Sequence, residues 1–447
     1  MTRVKIAIVG AGIGGLMLAS CIAQMDQQKR IELDIYESTV ELAVIGAGIN
    51  LWPRAFEMLV SIGLKDEVLQ LCEQADDDSS LAFEFRKSDQ KKGHPIFNLY
   101  IPGGIVRIHR ADLQKVLLKC ALRRARLHLS SKLVSYTEHQ DSVHLVFENG
   151  SRGTCDLLVG ADGIKSTVRR LFLMSRPGSG YQDSIDPIWT GTYAYRGIIP
   201  RDELEQRMSG HRAAKVPVMY IGKSKHIVAY PMSHGRLINV LGLVHHESRE
   251  ETDHEGPLVQ NVPQEEIKSV FQGWEPEVQA LVQCISNPTK WAVHHLRPLK
   301  RYGERRVLLL GDAAHAMGPH QGTGAGQAME DAYLLTCVLT HPDVAHELKS
   351  QMPMITGIYD TVRRPVGNAS LMLTKTCGKL TGLTDDDIEL PRVKEGDDKV
   401  PHDVLVKYIK KLEHKWQWLW DGSTRVEDQC QEASSLLRGL RRREAKL

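Results

Sequence analysis

A glycine-rich turn near the N-terminus constrains the fold of this chain more than any other feature. The apolar segment 5–9 predicts a buried strand, and the turn GAGIGG at 10–15 follows it and opens a helix of small residues. A second apolar segment, 31–36, predicts the next strand. Strand, tight turn, helix and strand in this order predict a parallel β-α-β unit, and hence an α/β protein.

The turn, together with an acid that follows the second strand, has the chemistry of a phosphate and ribose site. Gly10 permits the tight turn, Gly12 lets the backbone approach a pyrophosphate, and Gly15 lets the helix pack on the strand. The helix begins near Ile13, where free amides and the helix dipole favour a phosphate group. Glu37 can accept a hydrogen bond from a ribose hydroxyl. The unit predicts a dinucleotide site, and it does not distinguish NAD from FAD.

Composition and charge exclude several classes of protein. The length of 447 residues predicts two or three domains. The net charge of only +2 predicts neither a nucleic-acid-binding nor a membrane-binding surface. No apolar run is long enough for a membrane helix. The eight cysteines include no Cys-x-x-Cys pair, so we expect no metal site and no disulfide framework. We expect a monomer or homodimer in a reducing compartment.

Two terminal features bear on location. The N-terminus runs directly into the first strand without a secretory signal, which favours the cytoplasm. The last three residues, Ala445, Lys446 and Leu447, resemble the Ser-Lys-Leu address of peroxisomal proteins, although a match of three residues also arises by chance. Cytoplasmic and peroxisomal locations both stay open.

Two further glycine motifs follow apolar strands later in the chain. One strand breaks at Gly160 and leads through Asp162 to a helix. Another ends in a Gly-Asp pair at Asp312 and leads through a glycine-rich loop, which contains Gly324, into a helix that begins near Ala325. The loop glycines let backbone amides approach a ligand, and the helix start adds a positive dipole end. Three such motifs are more than one dinucleotide unit requires.

Two other places could face the same ligand. Gly48 and Asn50 belong to the glycine-rich turn 45–50, which predicts a second ligand-facing loop. Arg110 stands at or near the start of a predicted helix, where its guanidinium could reach a bound phosphate or ring. A structural surface arginine is the alternative for Arg110.

The strand pattern predicts an α/β fold with an inserted second sheet. Residues 1–180 and 295–370 are expected to form a discontinuous Rossmann-like domain around the nucleotide site, and residues 371–447 a helical C-terminal region with a basic tail. Residues 181–294 are expected to form a mostly antiparallel substrate sheet, because their β-branched, alternating segments lie at 190–199, 216–221, 226–231 and 237–244.

The three glycine motifs, in this order, resemble those of the class A flavin monooxygenases. The resemblance implies that the first motif binds the ADP half of FAD. It also implies that the Asp-Gly motif at 162–163 lies near FAD and the path of the nicotinamide nucleotide, and that the Gly-Asp motif at 311–312 contacts the ribityl chain of the flavin. It also implies tightly bound FAD and a transient NAD(P)H donor. No second GxGxxG motif is present for a tightly held nicotinamide nucleotide.

Within that family, segments 192–197, 226–231 and 311–331 are most similar to salicylate hydroxylases. The resemblance implies that a flavin hydroperoxide hydroxylates a phenol, with salicylate converted to catechol and carbon dioxide released. Related fungal phenol hydroxylases have an arginine and a tyrosine at positions matching Arg196 and Tyr230, whereas bacterial salicylate hydroxylases have phenylalanine at the second. The alternatives are a hydroxylase of another phenolic acid or a polyketide, a flavin-binding protein without turnover, and a plain NAD-dependent dehydrogenase.

Four residues could supply the chemistry of phenol hydroxylation. Strand alternation puts His226 and Tyr230 on one face, where an imidazole and a phenol could project into a pocket. Arg196 could pair with a substrate carboxylate or phenolate. His320, in the glycine-rich loop, could hydrogen-bond the reacting hydroxyl and pass its proton onward. The alternatives are a structural ion pair for Arg196 and packing or loop-holding roles for the other three.

Overall fold

The computed structural model describes residues 3–42, 48–72, 79–176, 181–344, 347–386, 394–423 and 425–444. The start of the predicted loop 45–50, the domain boundary at 180 and the C-terminal tripeptide lie outside these residues.

The strands are, in chain order, β1 (Val4–Val9), β2 (Ile31–Tyr36), β3 (Gly48–Leu51), β4 (Ser79–Lys87), β5 (His94–Pro102), β6 (Val106–His109), β7 (Ala125–His128), β8 (Leu133–Glu138), β9 (Val143–Phe147), β10 (Arg152–Cys155), β11 (Leu157–Gly160), β12 (Ile188–Pro200), β13 (Val218–Gly222), β14 (Lys225–Met232), β15 (Leu237–His245), β16 (Val259–Asn261), β17 (Thr289–His295), β18 (Gly303–Glu304) and β19 (Val307–Leu309).

The helices are α1 (Ile13–Met25), α2 (Pro53–Ser61), α3 (Lys65–Leu69), α4 (Arg110–Ala121), α5 (Thr167–Met174), α6 (Arg201–Arg207), α7 (Gln264–Val270), α8 (Pro276–Cys284), α9 (Asp312–His315), α10 (Gly324–Thr340), α11 (Met352–Thr381), α12 (His402–Trp416) and α13 (Val426–Glu444).

The first sheet is the predicted nucleotide sheet. Its order is β18-β19-β11-β1-β2-β7, and all neighbours except β18 and β19 are parallel. Strands β1 and β11 are almost wholly buried, because helices cover this sheet: α1 contacts β2 and α5 contacts β11 and β19, while α4 and α10 pack against α1. The predicted β-α-β unit, and the return of the chain to this sheet at β11, are confirmed.

The carboxyl ends of β1, β11 and β19 lie side by side. Val9 pairs with Gly160, and Gly160 pairs with Leu309, so the three strands end at the same level. The turns that follow contain the three glycine motifs, which are therefore neighbours in space. In an open parallel sheet, this edge is where ligands bind.

The second sheet has eight strands in the order β16-β17-β12-β15-β14-β13-β4-β5. It is mostly antiparallel, as expected, with β13 and β4 as its parallel pair. Strands β4 and β5 fall inside the range 1–180 that the sequence assigned to the nucleotide domain, and that assignment is wrong for these two strands. Val218 of β13 pairs with Glu84 of β4 across more than a hundred residues, and no local pattern encodes such pairing.

The helical C-terminal region begins earlier than expected. Helix α11 runs without a break across the expected boundary at 370 and contains Pro365. Helix α12 ends at Trp416, whose ring lies 5.5 Å from that of Trp52 and 6.3 Å from that of Phe85. Helix α12 therefore packs on Trp52, the residue just before α2, and on strand β4.

Three further observations concern the described part of the chain. None of its helices is long and apolar enough to cross a membrane. None of its His, Cys, Asp and Glu side chains form a group that could hold a metal ion. All eight cysteines are free.

A buried ion network joins α2, α9, α10 and α11. Arg363 Nε donates to Asp331 Oδ1 at 2.7 Å, and Arg363 Nη1 donates to Glu330 Oε2 at 3.0 Å. Arg54 also donates to Glu330, and His315 Nε2 lies 2.7 Å from Asp331 Oδ2. Asp331 Oδ2 accepts the backbone N–H of Gly311 as well, so the network holds the Gly-Asp turn in place.

The buried ion network makes the stability of the fold depend on pH. Burial opposes ionisation of Asp331, but His315 and Arg363 outweigh it and lower its pKa to about 2. This pKa lies below that of an unfolded aspartate, about 3.9. The ionised carboxylate therefore stabilises the fold above about pH 4, and the contribution is lost as the pH falls toward 2.

We expect Arg363→Met to lower the free energy of unfolding by about 3–5 kcal/mol, because it leaves buried carboxylates without their main cation. Arg364→Met is the matched control. Its ion pair with Asp360 is at the helix surface, with the Arg364 side chain 33% exposed, and such pairs contribute about 0–1 kcal/mol. Urea unfolding of the two variants checks the prediction, and equal midpoints would contradict it.

Candidate active site

A cavity of about 390 Å³ lies between the carboxyl edge of the first sheet and one face of the second. Its walls come from the three glycine motifs, strand β3, strands β12–β15 and the loop before α10. It brings together most of the residues that the sequence indicated: Gly12, Ile13, Gly48, Asn50, Arg110, Arg196, Tyr230, Asp312, His320, Gly324 and Ala325.

Gly10 and Gly15 do not line the cavity, and they allow close backbone packing beside it. Gly10 has φ +108°, and a Cβ there would lie 2.2 Å from the carbonyl oxygen of Ala161. A Cβ on Gly15 would lie 2.1 Å from the carbonyl oxygen of Gly10. Both positions therefore require glycine, for the tight turn and the close helix that the sequence predicted.

Two helix N-termini point free amides at the cavity. Helix α1 follows Gly12, and neither a side-chain cap nor an acid in its first turn occupies its amides. A Cβ on Gly12 would meet nothing within 4 Å, so the space in front of them is open. Helix α10 begins at Gly324 with the same features. Both ends therefore suit an anionic group.

Glu37 lies beside the first turn as an ionised carboxylate. Its Oε2 accepts the backbone N–H of Ala11 at 2.9 Å, and its Oε1 accepts that of Thr39 at 3.0 Å. Although burial opposes ionisation, these hydrogen bonds lower the pKa of Glu37. Its contact with a ribose hydroxyl stays a prediction.

Asp162 is engaged with the protein and not with the cavity. Its carboxylate accepts hydrogen bonds from the Ser166 hydroxyl and from the backbone N–H of Val168, at the start of α5. Burial raises its pKa against these bonds. Its neighbours Ala161 and Gly163 line the cavity, whereas Asp162 does not. The motif therefore borders the cavity without its carboxylate, which the sequence had indicated as a cofactor-binding group.

Asp312 is the acid that reaches the cavity. It opens α9 after Gly311, whose φ is +61°. The side chain is accessible to the cavity but enclosed by protein, and this enclosure raises its pKa, while His315 and Arg110 oppose the rise. A carboxylate in this position can accept hydrogen bonds from hydroxyl groups of a bound molecule.

Two arginines give the cavity positive charge. Among the residues that the structure describes, no carboxylate pairs with Arg110 or Arg196. The Arg196 guanidinium lies 4.6 Å from the centre of the Trp291 ring, and its buried Nε has no partner there. Burial lowers the pKa of Arg196, and Tyr230 opposes this effect. The structural ion pair considered for Arg196 is therefore not what the structure shows.

Tyr230 packs directly on Gly48. A Cβ on Gly48 would lie 2.5 Å from the Tyr230 hydroxyl, and the Gly48 N–H donates to Asn239 Oδ1 at 3.0 Å. Burial raises the pKa of Tyr230 to about 12, with Arg107 and Arg196 opposing, so the phenol stays neutral and can donate a hydrogen bond. Asn239, which no sequence motif indicated, pairs with Tyr230 across β14 and β15, and strand alternation could have identified it.

His320 and His226 occupy different positions. His320, in the turn Pro319–Gln321, lines the cavity, and burial lowers its pKa to about 4. His226 shares the strand face of Tyr230, as expected, but it lines a separate small cavity behind His320. The two ring centres are 5.8 Å apart, and burial, then His320, lower the pKa of His226 to about 3.

The residues present fit FAD. The cavity includes the free amides at the starts of both α1 and α10, which suits a molecule with anionic groups. Several side chains on its wall, Asn50 and Gln321 among them, have buried oxygen or nitrogen atoms without partners in the described structure. Such atoms need a ligand or water to satisfy them. Pyrophosphate would lie at Gly12 and Arg110, and ribityl hydroxyls at Asp312.

The fold and the site define a FAD-dependent aromatic monooxygenase. A family model described as FAD binding domain matches residues 3–372, so the chain belongs to this family. Its cofactor is FAD, and NAD(P)H is the electron donor typical of the family.

The relatives of this chain include salicylate hydroxylases. One from Pseudomonas putida is 32% identical over 425 residues, which are 93% of this chain and 91% of that protein. A 6-methylsalicylate 1-monooxygenase of Aspergillus terreus is 32% identical over 345 residues, covering 75% of this chain and 74% of that protein. A solved salicylate hydroxylase in complex with its substrate has a TM-score of 0.80 at 28% identity, covering 97% of this chain and 98% of the other.

We expect Glu37→Ala to weaken FAD binding by about tenfold or more, because one hydrogen bond to a charged group contributes about 1.5–3 kcal/mol. Glu32→Ala is the control, since Glu32 is on β2, the strand that Glu37 follows, and its nearest basic group is surface Arg3, 3.6 Å away. Flavin fluorescence during dilution measures the dissociation constants. Unchanged affinity in Glu37→Ala would remove the proposed ribose contact.

Proposed function

We propose that this enzyme hydroxylates a phenolic acid, most directly salicylate, with release of carbon dioxide and formation of catechol. The observation that carries the proposal is Arg196, a half-buried arginine that lines the cavity, with a buried Nε and no carboxylate partner among the described residues. A buried cation without a partner is costly, and a bound carboxylate or phenolate would supply that partner. The similarity to salicylate hydroxylases supports the same substrate.

The neighbours of Arg196 suit an aromatic ring with one polar edge. Val228 and Leu241 face each other across β14 and β15, and with Met219 and Phe83 they form apolar walls. A phenol placed between them would meet Arg196 and Tyr230 at its polar edge. Arg196 can hold a carboxylate or phenolate through two parallel hydrogen bonds, and Tyr230 can donate a third.

His320 is proposed to take the proton of the reacting hydroxyl. With its pKa lowered to about 4, the imidazole is neutral near pH 7 and has a nitrogen free to accept a proton. Loss of that proton makes the ring electron-rich, which oxygen transfer requires. FAD, when bound, carries electrons from NAD(P)H and activates dioxygen.

A second candidate is a hydroxylase of a substituted phenolic acid or a polyketide. Tyr230 favours it, because bacterial salicylate hydroxylases have phenylalanine there. The similarity to a 6-methylsalicylate 1-monooxygenase points in the same direction. A substrate panel separates the candidates through phenol-stimulated NADH oxidation and product mass, because release of carbon dioxide identifies decarboxylative hydroxylation. A flavin-binding protein without turnover would oxidise no NADH with any phenol.

We expect Arg196→Met to keep FAD and to lower salicylate hydroxylation by about 100-fold or more, because two charge-assisted hydrogen bonds of about 1.5 kcal/mol each are lost. Arg249→Met is the matched control. Arg249 lies 4.6 Å from the centre of the Trp189 ring, as Arg196 does from Trp291, but it does not line the cavity. Normal hydroxylation by Arg196→Met would overturn the assigned role.

A further inference from the structure

A second, much smaller cavity lies behind His320. Its volume is about 50 Å³, which holds a few water molecules. Strands β12, β14, β15 and β17 form one wall and helix α11 forms the other. His320 and Gly318 line both this cavity and the large one, so the His320 ring separates the two.

The pairing of β14 with β15 continues from the large cavity into the small one. Tyr230 pairs with Asn239 and Val228 with Leu241, and all four line the large cavity. The next pair on the same face is His226 with Leu243, and both line the small cavity. His245 is two residues beyond Leu243 on that face and lines it too. One sheet face therefore leads from the substrate site to His245.

Histidine side chains give the wall of the small cavity polar atoms. His320 Nδ1 and His295 Nε2 are buried and have no hydrogen-bond partner in the described structure. Water in the cavity would satisfy buried groups of this kind. Glycine at 378 makes room for the His320 ring, since a Cβ there would lie 2.9 Å from its Nε2. The ring is thus held against α11 beside the cavity.

The far end of the small cavity reaches charged groups at the surface. His245 Nδ1 lies 3.1 Å from the Thr192 hydroxyl. Lys375 and Glu250 form an ion pair of 2.6 Å at the rim, with side chains 36% and 24% exposed. A proton that reaches His245 is therefore next to groups in contact with solvent.

We propose that the small cavity is the proton exit of the active site, with His245 as a relay residue that acts through His320. The inference rests on the proposed function, because it concerns the proton of the reacting phenol. The phenol O–H bond breaks as one nitrogen of His320 takes the proton. A proton on the other nitrogen passes to cavity water, then to His245 and to solvent. No electrons are transferred.

The imidazoles are suited to pass a proton and not to store it. Burial lowers the pKa of His320, His226, His245 and His295, so all four are neutral near pH 7. The titratable and charged groups around His320 are His226 and His245. Those around His245 are His320, the adjacent His246, Glu247 and Glu250 from the loop after β15, and Lys375 and Lys379 from α11.

The test uses single-turnover hydroxylation by the reduced holoenzyme with the phenolic acid that the substrate panel identifies. We expect His245→Gln to slow hydroxylation by about tenfold or more, a small part of the 10²–10⁴ that proton transfer contributes to catalysis. The solvent deuterium isotope effect should rise with the slowing, because proton exit becomes rate-limiting. Substrate affinity and FAD content should stay at wild-type values.

His246→Gln is the matched control. It changes the neighbouring histidine, which is exposed and outside the small cavity, and it should leave the rate and the isotope effect unchanged. Thr192→Val removes the hydrogen bond to His245 while keeping the imidazole. It should give a smaller slowing with the same isotope signature, and it decides the question if His245→Gln does not retain FAD.

The outcomes distinguish the relay from the proposed function. A wild-type enzyme that hydroxylates no phenol overturns the proposed function. A wild-type enzyme that hydroxylates normally, with His245→Gln showing the same rate and isotope effect, overturns the relay alone. Slowing without a change in the isotope effect also overturns the relay, because it would indicate a structural role.

Discussion

The parallel pairing of β1, β11 and β19 is the constraint on which the rest of the structure depends. It ends three strands at one level, so that turns more than three hundred residues apart in the chain form one edge. The fit between these turns is tight, since a Cβ on Gly10 would overlap the backbone of Ala161. The buried carboxylate of Asp331 holds the third turn through the N–H of Gly311. Backbone geometry and buried charge thus prepare the cofactor site together.

The arginines of the scaffold and of the candidate site differ in whether a carboxylate pairs with them. Arg363 is fully buried and paired with two carboxylates, as a structural cation should be. Arg196 faces the cavity, and no described carboxylate pairs with it. The contrast supports a ligand anion as the partner of Arg196. The neutral imidazoles behind His320 add the complementary property, a polar path without fixed charge from the same cavity toward Lys375 and Glu250.

Local patterns predicted the parts of the fold that depend on neighbouring residues. The turn at Gly10, the helix that begins at Arg110 and the start of α10 near Ala325 were all predicted, because periodicity and glycine placement act over a few residues. Strands β4 and β5 were assigned to the wrong sheet, because their alternation does not say which partner they pair with. Helix α11 crosses the expected boundary at 370 without ending there.

The sequence by itself determined the family, the α/β fold and the side chains available for chemistry, because these depend on motifs and residue types. Only the tertiary structure decided which of those side chains meet. It turned the Asp162 carboxylate toward α5, put His226 behind His320, and brought Asn239 beside Gly48. The physical reason is that strand register and helix packing set these distances, and both arise from contacts between residues far apart in the chain.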